Sequence, residues 1–375
     1  MSAGSLNWRA DLRSEGNRLL GEIDAAGPDR FAEALDAEAR RRLAAFMDGV
    51  LAYRSHPYRR RVEPPPAIWQ EGTTRLLDYG AASRRRRAGG TVLVVPSLVN
   101  RYYVLDLDRG RSMMRYMAQR GMRPLMVDWD APGPEERRFG LTDYVAGRLE
   151  RALARATEEA GGPVSVVGYC MGGNLALALA LRRPELVDRV AALATPWDFH
   201  AGKTPTDAMA TVYTAALLPM IATFDELPTD AIQSLFAALD PVGVVSKFRR
   251  FPRLDPDSTA ARLFVALEDW LNDGVPLAGP VAEETLIGWY AENRPGRGEW
   301  RIAGVPVRPQ ELRRPLWVAI PSQDRIVPPA SASALADVVP HAVGHRVPAG
   351  HIGMAVGGRA REALWKPLVD WLKAG

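Results

Sequence analysis

Cys170 is the single cysteine of this 375-residue sequence, and its neighbours suit a nucleophile. It lies in Gly168-Tyr169-Cys170-Met171-Gly172-Gly173, between an apolar run and a helical stretch. The pattern is G-x-S-x-G with sulfur in place of oxygen. Its glycines serve a turn so tight that flanking side chains would strike the backbone. The turn lifts the nucleophile to a helix N-terminus, where the helix dipole favours a thiolate.

A thiolate needs a base, and the histidines are His56, His200, His341, His345 and His351. His351 sits in Pro348-Ala349-Gly350-His351-Ile352-Gly353, after the last predicted strand and before the terminal helix. That is the base's place when the chain order is nucleophile, acid, histidine. His341 and His345 fall just before and on that strand and read as structural. His200 opens an insertion and reads the same way, and His56 has no argued partner. The acid should follow the penultimate strand, which selects Asp324 in Ser322-Gln323-Asp324-Arg325-Ile326-Val327. Its work would be to orient and stabilise the imidazolium. An oxyanion hole needs two backbone N–H donors. Met171 supplies one. The other belongs to Ser97-Leu98-Val99-Asn100, with Val99 preferred and Leu98 the alternative.

The elements around these residues alternate. Residues 91–96 (TVLVVP), 123–129, 163–168, 187–193, 315–320 and 345–347 read as strands, several of them continuous apolar runs of the kind buried on both faces. Residues 108–120, 141–160, 171–183 and 360–373 read as helices. This predicts an α/β fold of the α/β-hydrolase type: a mostly parallel sheet, helices on both faces and an inserted cap. The expected organisation is a helical N-terminal region at 1–66, core at 67–197, cap at 198–311 and core again at 312–375. Pro64–Pro66 reads as a linker, and the arginine runs 40–42, 59–61 and 84–87 as solvated faces.

Composition narrows the function classes. Hydrophobic residues make up 47% and charged residues 25%, which excludes a disordered chain or a fibre. One cysteine excludes an internal disulfide and fits a reducing compartment. The net charge is +4, and 44 of the 48 basic residues are arginines, a surface suited to phosphate-bearing substrates. There is no phosphate-binding G-x-x-x-x-G-K-[ST], no H-E-x-x-H, no clustering of metal ligands and no basic–aromatic ribbon for nucleic acid. The N-terminus lacks the pattern of a signal peptide. The most apolar run, residues 215–224 (AALLPMIATF), is too short to cross a bilayer.

Several further segments carry a resemblance. Val95-Pro96-Ser97-Leu98-Val99-Asn100-Arg101-Tyr102-Tyr103, Asp128-Trp129-Asp130-Ala131-Pro132 and Ala194-Thr195-Pro196-Trp197-Asp198-Phe199 stand in order around the cysteine box. Trp270-Leu271-Asn272-Asp273, Trp289-Tyr290-Ala291-Glu292-Asn293, Asp324-Arg325-Ile326-Val327-Pro328 and Gly350-His351-Ile352-Gly353 follow. From about Gly90 to the end the sequence resembles the polyhydroxyalkanoate synthases, closest to the short class that works with a second subunit. The resemblance implies a Cys170–His351–Asp324 site that moves (3R)-hydroxyacyl groups from coenzyme A onto a growing polyester. It implies that Asp324 also helps His351 activate the 3-hydroxyl group. Coenzyme A would be a leaving group and no cofactor is implied. The implied partners are hydroxyacyl-coenzyme A, the polyester chain or granule surface, a second copy of the chain and a second synthase subunit, in the cytoplasm. One departure is Arg325, where the family usually has histidine. Hydrolysis of thioesters, esters or the polyester on the same triad is the alternative activity.

Overall fold

The computed structural model describes residues 10–81, 89–202 and 216–374. The arginine run 84–87 and Ala215 therefore lie outside the described residues. Two compact units emerge. The first comprises Met1–Pro57 and Pro241–Val265, and the second Tyr58–Asp240 and Ala266–Gly375. The sequence pattern predicts one unbroken cap at 198–311. The structure instead assigns its 241–265 segment to the unit of the N-terminal helices.

In the first unit, α1 (Arg13–Ala26) and α2 (Pro28–Ser55) are joined at Gly27, whose φ of 90° suits only glycine. Phe46, Tyr53, Phe248 and Phe264 pack edge to face, with centroids 5.4–6.4 Å apart. His56 is buried there, its Nε2 2.9 Å from the Pro256 carbonyl, so it is a packing residue.

The second unit is built on one eight-stranded sheet. Its strands are β1 (Ala67–Glu71), β2 (Thr74–Asp78), β3 (Thr91–Val95), β4 (Arg123–Asp128), β5 (Val164–Tyr169) and β6 (Val187–Leu193). Two minor ladders follow, β7 (Glu226–Leu227) with β8 (Leu277–Ala278), and β9 (Arg301–Ile302) with β10 (Val305–Pro306). The sheet is completed by β11 (Leu316–Pro321) and β12 (Val343–Val347). Its order is β1-β2-β4-β3-β5-β6-β11-β12. The pairs β1–β2 and β2–β4 are antiparallel, and all others are parallel. The first two strands went unread in the sequence. They are short and mixed in polarity, and only Gly72, at φ 56°, marks their hairpin.

The parallel strands are apolar because both their faces are covered. Helices α3 (Met113–Gln119), α4 (Glu150–Ala160) and α5 (Met171–Arg182) connect them. The helix expected over 108–120 starts later, at Met113, where the Ser112 side chain caps it by accepting the Arg115 N–H at 2.9 Å. The strand order reverses at β3, and such a reversal opens a crevice at the strands' C-terminal ends. Val95 is the register partner of Gly168, so the loop after β3 and the turn after β5 emerge side by side.

The cap of this unit includes a helix at residues 216–224, named α6 here, and α7 (Thr229–Leu239). Leu217 and Ile221 of the apolar run are buried in the core, while Phe224 is exposed. Arg60 departs from the solvated reading. It donates to the carbonyls of Leu107, Val62 and Asp106 at 2.9–3.1 Å. Arg40, Arg41 and Arg42 do sit exposed, paired with Asp36 and Glu38.

The turn after β5 is the tightest junction of the fold. A Cβ on Gly172 would fall 2.1 Å from the Val95 carbonyl oxygen and 2.6 Å from that of Pro96. Gly172→Ala should therefore push β3 and α5 apart and cost about 3 kcal/mol. Urea unfolding of the variant checks this, and an unchanged midpoint would contradict the packing.

Candidate active site

Cys170 occupies the turn between β5 and α5 with φ 54° and ψ −129°. That is a strained backbone for a residue with a Cβ, costing roughly 1–3 kcal/mol. It is held because nothing else fits. A Cβ on Gly168 would meet the Gly172 oxygen at 2.4 Å, and one on Gly173 would meet Thr195 Oγ1 at 1.7 Å. The Cys170 N–H donates to the Leu193 carbonyl at 2.8 Å, and its own carbonyl accepts the Gly173 N–H at 2.9 Å. The thiol is neither fully buried nor fully open. Cys170 caps α5, so the Met171 N–H at the first helical position has no acceptor within the helix.

The base arrives from the other end of the sheet. His351 begins a short helix (His351–Val356), directly after the β12 loop. Its Nδ1–H donates to Asp324 Oδ2 at 2.6 Å. The second carboxylate oxygen is also used, because Oδ1 accepts the backbone N–H of Ile326 at 2.8 Å and of Val327 at 3.0 Å. Asp324 is thus fixed before it orients anything. The two loops are sewn together, Ser322 N–H to Val347 O at 2.8 Å and Gln323 N–H to Ala349 O at 3.0 Å. Cys170 lies close enough to the imidazole for its charge to raise the ring's pKa.

Electrostatics decides the protonation of His351. Burial alone would pull its pKa down. The negative charge at Cys170 and the hydrogen bonds to Asp324 and Cys170 outweigh it and push the pKa up to about 10. His351 therefore holds its proton well above the ordinary imidazole range.

The oxyanion loop is less simple. Val99, the expected second donor, gives its N–H to Ser97 Oγ at 3.0 Å. In this conformation that donor is already engaged. Leu98 is buried beside it.

The remaining histidines lie away from the triad's bonding. His200 Nε2 contacts the Tyr290 carbonyl at 3.0 Å, His341 Nε2 the Arg314 carbonyl at 2.8 Å and His345 Nε2 the Ala363 carbonyl at 2.8 Å. Two tyrosines of the site went unassigned in the sequence. Tyr169 stacks near His351, ring centroids 5.2 Å apart, and its hydroxyl donates to the His351 carbonyl at 3.2 Å. Tyr290, from the cap, packs edge to face on Phe199 with ring centroids 5.0 Å apart. An aromatic residue preceding the nucleophile was the available signal for Tyr169. Arg325 pairs with Asp240 of the cap at 2.7 Å.

A family model described as the alpha/beta hydrolase fold matches residues 90–357. The chain belongs to this family. Among curated proteins it is similar to a poly(3-hydroxyalkanoate) polymerase subunit PhaC of Haloferax mediterranei, 26% identical over 82% of this chain. The chain spans 63% of that relative's length. The subunit of the same name from Synechocystis is 29% identical over 75% of this chain and 77% of its own. Among solved structures, a monoacylglycerol lipase of Paleococcus ferrophilus shares the fold. Its TM-score is 0.50 at 18% identity, covering 80% of this chain and 98% of the lipase. This hydrolase-fold chain thus resembles the polyhydroxyalkanoate synthases over most of its length. Among the described residues no helix is long and apolar enough to cross a membrane.

The sign of the His351 shift sets a pH test. A group raised from 6.5 to about 10 contributes stability in full below pH 6.5 and loses it as pH climbs through about 10. Nitrogen NMR of His351 should show an imidazolium at pH 8 in the wild type. In Cys170→Ala the signal should titrate well below that. A neutral ring in the wild type at pH 8 would contradict the raised pKa.

Proposed function

We propose that this chain transfers (3R)-hydroxyacyl groups from coenzyme A, through a thioester on Cys170, onto a growing polyester. The observation that carries the reading is a cysteine, not a serine, at the head of the triad. A thiolate exchanges one thioester for another at little cost in bond energy, which suits acyl transfer from coenzyme A. The similarity to poly(3-hydroxyalkanoate) polymerase subunits supports the same substrate class.

The steps balance on the residues present. The Cys170 thiolate attacks the thioester carbonyl carbon. The Met171 N–H and an oxyanion-loop N–H, that of Val99 once released from Ser97, stabilise the oxyanion. The carbon–sulfur bond to coenzyme A breaks, and His351 gives its proton to the departing thiolate. His351, now neutral and oriented by Asp324, accepts the proton of an incoming 3-hydroxyl group. That oxygen attacks the Cys170 thioester, an ester forms, and the Cys170 thiolate is restored beside the imidazolium. Water must stay out of the second step or hydrolysis competes.

The relatives' designation as subunits supports a second subunit as partner, and a polyester granule surface in the cytoplasm is the place this chemistry requires. The test uses 3-hydroxybutyryl-coenzyme A, following coenzyme A release and assaying the acyl product. The wild type should release coenzyme A and form insoluble polyester, and Cys170→Ala should do neither. Release that yields only monomeric acid would make the protein a thioesterase, and release unchanged in Cys170→Ala would overturn the nucleophile.

A further inference from the structure

The loop after β3 carries the expected oxyanion donor, yet little within the loop itself fixes it. It passes through Asn100 at φ 66°, a left-handed position that asparagine tolerates. Its anchors come from elsewhere in the same unit. The Trp270 indole N–H donates to the Arg101 carbonyl at 2.8 Å. The Arg101 guanidinium forks, its Nε to Asp273 Oδ1 at 2.9 Å and one terminal nitrogen to Asp130 Oδ1 at 2.8 Å. The Tyr103 hydroxyl donates to the other oxygen of Asp273 at 2.8 Å. Both oxygens of one cap carboxylate are therefore bonded to the oxyanion loop and its continuation. Trp270 and Asp273 end the cap helix that runs Thr259–Asn272 and the turn beyond it.

This arrangement is more than a surface ion pair. Asp273 is half exposed and Arg101 only 30% exposed, so a single pair would be worth ~1 kcal/mol or less. Here the carboxylate accepts two donors, the Arg101 Nε–H and the Tyr103 hydroxyl, and the guanidinium also forks to Asp130, which imposes geometry as well as attraction. A backbone donor placed about 1 Å off its oxyanion loses most of its effect.

We propose that Asp273 is a positioning residue for the oxyanion hole: through Arg101 and Tyr103 it couples the seating of the cap to the placement of the Val99 N–H. The proposal rests on the acylation of Cys170 argued above. It makes the oxyanion hole a joint product of core and cap, complete only when the cap is in place. An acyl group would then meet full catalytic power only under a seated cap.

The test separates two reactions of the same sulfur. Acylation of Cys170 by p-nitrophenyl butyrate passes through an oxyanion, whereas alkylation by iodoacetamide does not. Asp273→Ala should slow acylation about 10- to 100-fold while alkylation stays within about two-fold. Tyr103→Phe, which removes one hydrogen bond and no charge, should slow acylation by several-fold. Asp273→Glu should recover part of the loss. Equal acylation rates in Asp273→Ala and wild type would overturn the proposal. So would a parallel fall in acylation and alkylation, which marks a merely structural role. A wild type that is alkylated at Cys170 but never acylated would overturn the hole itself, and with it the acyl-transfer reading. A wild type acylated by the ester but inert to 3-hydroxybutyryl-coenzyme A would fault only the substrate.

Discussion

The site depends on one close approach, the Gly172 backbone against the end of β3. A Cβ there would fall 2.1 Å from the Val95 oxygen, so α5 can start only where it does. That start forces Cys170 to φ 54°, which lifts the sulfur off the sheet and leaves the Met171 N–H pointing past it. The same contact brings the oxyanion loop beside the turn, because Val95 and Gly168 are register partners. Cys170 and the loop after β3 are thus placed by one packing constraint between two neighbouring strands. The acid and base need a second, the backbone stitching of the loops after β11 and β12.

Charge then completes what packing begins. A buried histidine would ordinarily lose its proton. His351 keeps it to about pH 10 because the electrostatic pull of Cys170 beside it and the Asp324 carboxylate behind it both favour the cation. Asp324 can play that part because two backbone N–H groups hold its outer oxygen. Arg325 adds to the departure from the wider pattern: next to the acid, it faces outward to pair with Asp240 rather than entering the triad.

The parallel core and the meeting of Asp324 with His351 were legible in the sequence for a physical reason. Strands buried on both faces must be continuous apolar runs, and the elbow must be glycine on either side of the nucleophile. Cys170, Asp324 and His351 follow from chain order along such strands. The β1–β2 hairpin was not legible, because β1 is an edge strand with one partner and both strands are short and antiparallel, so neither needs a continuous apolar run. The Arg60 anchor was hidden among chemically identical neighbours, and only tertiary structure shows which guanidinium turns inward. The commitment of Val99 to Ser97 Oγ was equally hidden, since a backbone donor leaves no mark on residue type. The division of the cap at Pro241 and Val265 reflects long-range aromatic packing that local periodicity does not record.

The central claim is that Cys170 itself carries the acyl group. The most direct measurement is to quench the protein within its first turnover of 3-hydroxybutyryl-coenzyme A and map the modified peptide by mass spectrometry. The account predicts a hydroxybutyryl group on Cys170, removed by hydroxylamine as a thioester should be. Product formation with the group on another residue, or with Cys170 never modified, would contradict it.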